Sequence, residues 1–152
     1  MRRFVIFCCL IVFCCTCTKE YFNPVPKSRV YIEVDLVFRD KELQAYASSK
    51  IFTSNNTIHG KELTGYAGVL VTRSLFGEYK AFDIACPYEV QMGAVVEINN
   101  ENNAVCNVCG STFEVMLNYA SGGCIGGPSK YALRPYNVFI KDVDKTLIIR
   151  DY

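Results

Sequence analysis

The 152-residue chain is long enough for one domain with its own core, and no internal repeat indicates a solenoid or an array. Its formal net charge is +1, from 16 basic and 15 acidic residues. Arg2 and Arg3 contribute two of the basic residues, so the remainder is close to neutral and contains no run of Lys and Arg. We therefore expect no nucleic-acid partner.

The first 17 residues are typical of an export signal. Two arginines are followed by an apolar stretch over residues 4–17, which matches the charged and apolar regions of a secretory signal. The stretch is too short to span a bilayer, which takes about 20 residues in a helix. We predict that it is removed or lipidated, and an uncleaved anchor is the alternative.

The apolar stretch ends in Cys-Cys-Thr-Cys at residues 14–17, followed by polar residues. This pattern resembles the lipobox of bacterial lipoproteins, in which a cysteine becomes the acylated first residue of the mature chain. The resemblance implies lipidation of Cys17, with Cys15 as the alternative, and a domain held at a membrane. We expect a cell-envelope location, as an outer-membrane lipoprotein that faces the periplasm or the cell surface.

After the signal, the pattern predicts a tether over residues 18–28, where Asn-Pro-Val-Pro cannot form a helix or a central strand. The predicted domain covers residues 29–152. Apolar side chains alternate over residues 30–36, which predicts a half-buried strand, and residues 43–57 predict a loop with a short strand. Further strands are predicted at residues 69–72, 79–84, 95–98, 113–117, 137–141 and 146–150, with a hairpin between the first two and an Asn-rich turn at 99–103. These short strands predict an all-β, antiparallel class.

Two cysteine loops directly follow predicted strands. The first is Cys86-Pro-Tyr88, the second is Cys106-Asn-Val-Cys109-Gly-Ser-Thr-Phe, and Gly127-Pro opens a third tight loop. This order resembles the Rieske iron-sulfur domain, in which C-x-H and C-x-x-H-G-S-x-F loops hold a 2Fe-2S cluster beneath a Gly-Pro loop. The resemblance implies a Rieske-like antiparallel β-sandwich or barrel with two cysteine loops and a Gly-Pro loop.

The resemblance covers residues 68–151 but lacks both cluster histidines. Tyr88 stands at the first histidine position and Cys109 at the second, while the single histidine, His59, lies outside both loops. Because Rieske ligation needs two histidines on one iron, a complete Cys2His2 site within one chain is impossible. The chain is therefore expected to be a degenerate member that does not perform standard Rieske electron transfer.

Three interpretations remain for Cys86, Cys106, Cys109 and Cys124, the four cysteines outside the signal. In the first, Cys86 pairs with Cys106, with Cys109–Cys124 as a second bridge, or the thiols stay partly free. No cofactor is bound, and the domain is a binding or structural scaffold. In the second, four thiolates hold zinc in a closed tetrahedral site. In the third, they hold a 2Fe-2S cluster of low potential and the protein transfers electrons. We expect the first, with the other two as alternatives.

We expect no enzymatic activity. A Rieske oxygenase needs a second, catalytic iron domain, for which this chain has no room. The Cys106-x-x-Cys109 motif does not predict a thioredoxin-like dithiol, because a strand and not a helix N-terminus is expected after it. His59 has no context that would indicate a Ser-His-Asp set.

Overall fold

The computed structural model describes residues 22–54, 63–117, 122–142 and 145–151. The strands in these ranges are β1 Val30–Asp35, β2 Ser48–Phe52, β3 Leu63–Thr64, β4 Val69–Arg73, β5 Tyr79–Asp83, β6 Val96–Ile98, β7 Ala104–Cys106, β8 Thr112–Phe113, β9 Cys124–Gly126, β10 Pro135–Asp142 and β11 Thr146–Asp151. A 3₁₀ turn at Lys41–Gln44 separates β1 from β2. The predicted all-β, antiparallel class is confirmed.

The strands form two antiparallel sheets. The larger sheet has the order β2-β4-β5-β10-β11-β1-β3 and is nearly closed, and the smaller has the order β6-β7-β8-β9. Both predicted cysteine loops belong to the smaller sheet, since one leads into it and the other joins β7 to β8. Within the described ranges, no helix has the length and apolar character needed to cross a membrane.

The alternation predicted over residues 30–36 is present in β1. Val30, Ile32 and Val34 are fully buried, while Tyr31 between them is exposed. β1 pairs with β11 along its whole length, so its apolar face closes one side of the first of two core clusters. Burial of these side chains stabilises the sheet, at about 25 cal/mol for each Å² of apolar surface removed from water.

The second core cluster lies beneath the cysteine loops. Its large members include Phe82, Phe113 and Leu133, all with almost no exposed surface. Cys86 and Cys106 are buried in the same cluster. The side of the cysteine loops that faces the protein interior is therefore dry and closely packed, which fixes where the loops can lie.

The predicted hairpin and the predicted Asn-rich turn are both confirmed. β4 pairs with β5 from Val69 opposite Asp83 to Arg73 opposite Tyr79. β6 and β7 are joined by the turn at residues 99–103, in which Asn102 has a φ of 62°. Asparagine tolerates this left-handed conformation better than most residues, so the side chains present match the backbone they must adopt.

The strand predicted at residues 113–117 is wrong over most of its length. β8 ends at Phe113, because the Glu114 carboxylate accepts hydrogen bonds from the backbone N–H groups of Met116 and Leu117 at 2.7 and 3.0 Å. A side chain that binds its own following backbone in this way replaces the ladder of a sheet. The chain turns instead of continuing the strand.

Part of the segment predicted as a tether packs against the domain. The Val25 side chain is fully buried, and the Arg134 Nε–H donates to the Val25 carbonyl at 2.8 Å. The Asn23 side-chain amide donates to the Ala132 carbonyl at 3.0 Å. The ordered fold therefore includes residues ahead of the predicted boundary at residue 29, which pass beside the loop that follows β9.

Candidate metal centre

The first cysteine loop leaves β5 at Asp83, whose carboxylate is fully buried. This carboxylate accepts hydrogen bonds from the Ala85 N–H at 2.8 Å, the Tyr66 N–H at 2.7 Å and the Tyr136 hydroxyl at 2.6 Å. Burial raises the pKa of Tyr136, and the Asp83 charge raises it further, so the phenol stays a donor. Asp83 thus fixes the backbone just before Cys86, a positioning role that no sequence motif had indicated.

The second cysteine loop has the same backbone frame as the first. The Cys86 carbonyl accepts from the Val90 N–H at 2.9 Å, and the Cys106 carbonyl accepts from the Gly110 N–H at 3.1 Å. In each loop the fourth residue after the cysteine has a positive φ, 50° at Val90 and 70° at Gly110. A β-branched residue is costly in this conformation, and Val90 adopts it in the turn that its N–H closes onto the Cys86 carbonyl.

The two loops place three sulfur atoms together. The Sγ atoms of Cys86, Cys106 and Cys109 all lie within 4.8 Å of one another, and those of Cys86 and Cys109 are 3.6 Å apart. Cys86 and Cys106 are buried, whereas Cys109 is partly exposed. We call these three residues the cysteine triad. Two of its residues belong to the core, and the third, Cys109, reaches the surface.

Backbone amides point toward each sulfur of the triad. The Val108 N–H donates to Cys106 Sγ at 3.4 Å. Burial raises the pKa of the Cys86 thiol to about 12, and the N–H groups of Tyr88 and Glu89 act in the opposite direction. N–H donors favour a thiolate over a thiol, because they stabilise the negative charge on sulfur. At Cys86 burial outweighs these donors, so its thiol stays protonated unless a cation displaces the proton.

Ser111 connects Cys109 to the predicted Gly-Pro loop. Its hydroxyl oxygen lies 3.1 Å from Cys109 Sγ and accepts a hydrogen bond from the Ser129 N–H at 3.1 Å. The Cys109 thiol donates to that oxygen, and the Ser111 hydroxyl hydrogen can turn to the sulfur once the thiol proton is lost. Burial alone would raise the pKa of Cys109, but the Ser111 hydroxyl and amide, with the neighbouring Cys86 and Cys106, lower it.

The Gly-Pro loop lies directly on the Ser111 backbone. A Cβ atom placed on Gly127, where φ is 85°, would be 2.6 Å from Ser111 Cα and 3.0 Å from Ser111 N. Only glycine allows this approach, both for its φ and for the space. The tight loop predicted at Gly127 is therefore in contact with the second cysteine loop, and it carries Ser129, whose contribution the sequence did not indicate.

Cys124 is not part of the group of three sulfurs. It opens β9 opposite Phe113, and its thiol donates to the Gly126 carbonyl at 3.1 Å. The four cysteines in the described ranges are free thiols, so neither the Cys86–Cys106 nor the Cys109–Cys124 disulfide is formed in this structure. The short sulfur–sulfur contact joins Cys86 to Cys109 instead.

The remaining predicted site residues take no part in the triad. The Tyr88 side chain is 52% exposed, so the phenol at the first histidine position is turned toward solvent. His59 and the predicted lipidation site Cys17 lie outside the described residues.

Comparisons with known proteins assign no family to this chain. A scan against models of protein families and a search of curated proteins both found no match. The cysteine triad is therefore the feature from which a function can be inferred.

Proposed function

We propose that this domain is a metal-thiolate module, in which Cys86, Cys106 and Cys109 bind one zinc ion. The observation that carries the proposal is the convergence of three sulfur atoms within 4.8 Å from two separate loops. In a tetrahedral zinc site with Zn–S bonds of about 2.3 Å, two thiolates lie roughly 3.8 Å apart. The 3.6 Å between Cys86 and Cys109 is close to this separation.

The hydrogen-bond donors around Cys106 and Cys109 support a metal-bound state. N–H donors to ligand sulfurs orient the thiolates and offset part of their charge, a common outer-shell arrangement around metals. Val108 supplies such a donor to Cys106, and Ser111 supplies its amide and hydroxyl to Cys109. The same hydrogen bonds would stabilise neutral thiols much less than metal-bound thiolates.

The residues do not fit the 2Fe-2S cluster of a Rieske domain. At the two histidine positions stand Tyr88, whose ring faces solvent, and Cys109, which joins the other two sulfurs. A two-iron cluster divides its four ligands into one pair on each iron. Three sulfurs gathered around one point, with Cys124 outside the group, suit a single ion better.

We further propose that the domain is exported and held at a membrane of the cell envelope through a lipid on Cys17. The apolar stretch at residues 4–17 and its terminal cysteines support this location. Growth with an alkyne fatty acid, followed by a click reaction, should label the wild-type protein. The Cys17→Ser variant should lose that label, whereas unchanged labelling would exclude Cys17 as the acceptor.

Metal analysis of tag-free protein, purified from membranes under a thiol reductant, tests the zinc proposal. We expect about one zinc per chain, no acid-labile sulfide and no visible absorbance. The Cys106→Ser variant should lose most of the zinc, and the matched Cys124→Ser variant should retain it. Iron and sulfide in equal amounts would support the electron-transfer alternative, and a metal-free protein would support the scaffold.

A further inference from the structure

We propose that the metal in the cysteine triad keeps its fourth coordination position open, and that an exogenous small thiol fills it. The inference rests on the proposed zinc function and extends it, since it turns a closed structural site into one that exchanges a ligand. It corrects the expectation that four cysteines enclose the ion. Zinc takes four ligands, and an ion held by three protein ligands binds water or another molecule in the fourth position.

No fourth His, Cys, Asp or Glu side chain among the described residues joins the triad. In the described part of the chain, the ligand atoms of these four types that gather here are the three cysteine sulfurs. The Cys124 thiol donates to the Gly126 carbonyl within its own strand. The nearby Glu89 carboxylate accepts a hydrogen bond from the Gln91 side chain at 3.3 Å.

The open position faces solvent. Cys86 and Cys106 are buried on the core side, and Cys109 is partly exposed, so the accessible side of the ion is the one nearest Cys109. Tyr88 and Val108 lie in the two loops that hold these sulfurs, and their side chains are 52% and 57% exposed. A ligand can therefore arrive from solvent without any movement of the core.

The chemistry of the site favours sulfur in the incoming ligand. Three thiolates make the ion a soft centre, which prefers a fourth soft donor to a carboxylate. On binding, the metal–sulfur bond forms, the bound water leaves and the thiol proton passes to solvent.

Cobalt substitution tests the inference on the full chain in detergent. After reduction and removal of the reductant, Co(II) replaces zinc, and β-mercaptoethanol is titrated in while the sulfur-to-cobalt charge-transfer band is recorded. We expect this band to rise by about one third, as three thiolates become four. The oxygen analogue ethylene glycol should leave the spectrum unchanged.

Three variants test whether a side chain of the protein supplies the fourth ligand. Cys124→Ser, Glu89→Gln and His59→Ala should each keep the starting spectrum and the response to β-mercaptoethanol. Cobalt that binds with thiolate absorption but shows no response, or a variant that alters the starting spectrum, would overturn the open position. A protein that binds no cobalt through thiolate would instead contradict the metal function itself.

Discussion

Replacement of Gly127 by alanine should destabilise the second cysteine loop, because Gly127 packs against Ser111 in that loop. The new Cβ would lie 2.6 Å from Ser111 Cα, and the φ of 85° is unfavourable for any residue with a side chain. The left-handed conformation costs about 1–2 kcal/mol, and overpacking against a fixed backbone costs about 1–3 kcal/mol more. We therefore expect Gly127→Ala to lower the free energy of unfolding by about 2–5 kcal/mol.

Gly110 provides the matched control, because its φ is 70° and a Cβ there would meet no atom within 4 Å. Gly110→Ala should cost about 1–2 kcal/mol, the conformational part alone. Urea unfolding of both variants with a chelator present measures the difference without any metal contribution. Equal losses in the two variants would refute the close contact between the Gly-Pro loop and Ser111.

Three further predictions follow from single contacts. Ser111→Ala removes a hydroxyl that lowers the pKa of Cys109. Iodoacetamide reacts with the thiolate, so alkylation of Cys109 in the metal-free variant should need a higher pH. Peptide mass spectrometry across a pH series measures this, and an unchanged pH profile would contradict the role of Ser111. Asp83→Asn weakens several charge-assisted bonds and should cost about 1.5–3 kcal/mol in urea unfolding. Arg134→Met removes the N–H donors that bind the carbonyls of residues 23 and 25. Trypsin should then cleave faster after Lys27. An unchanged cleavage rate would contradict the packing of this segment on the domain.

The strands with one buried face could be predicted from the sequence. In β1 the alternation of Val30, Ile32 and Val34 is regular because the strand is buried on one side only. β8 was predicted too long, since Glu114 supplies side-chain acceptors that end the strand, and apolar residues after it suggested continuation. The two-residue strand β3 and the three-residue β9 are too short to show any period.

The site was predictable where it depends on spacing along the chain. Cys106 ends β7, Cys109 lies three residues after it and Cys86 three residues after the end of β5, and the structure brings the three together. Cys124 had been grouped with them only because it is the remaining cysteine, and its strand pairing directs it elsewhere. The contact of Ser129 with Ser111 depends on how two distant loops pack, which no local pattern can report.

The common frame of the two cysteine loops makes the centre easy to redesign. Three residues after Cys86 stands Glu89, the counterpart of Cys109, which lies three residues after Cys106. The hydrogen bonds and positive φ that hold each loop are already in place on both sides. A single change, Glu89→Cys, would therefore add the partner that the first loop lacks, and give a symmetric pair of knuckles with four thiolates.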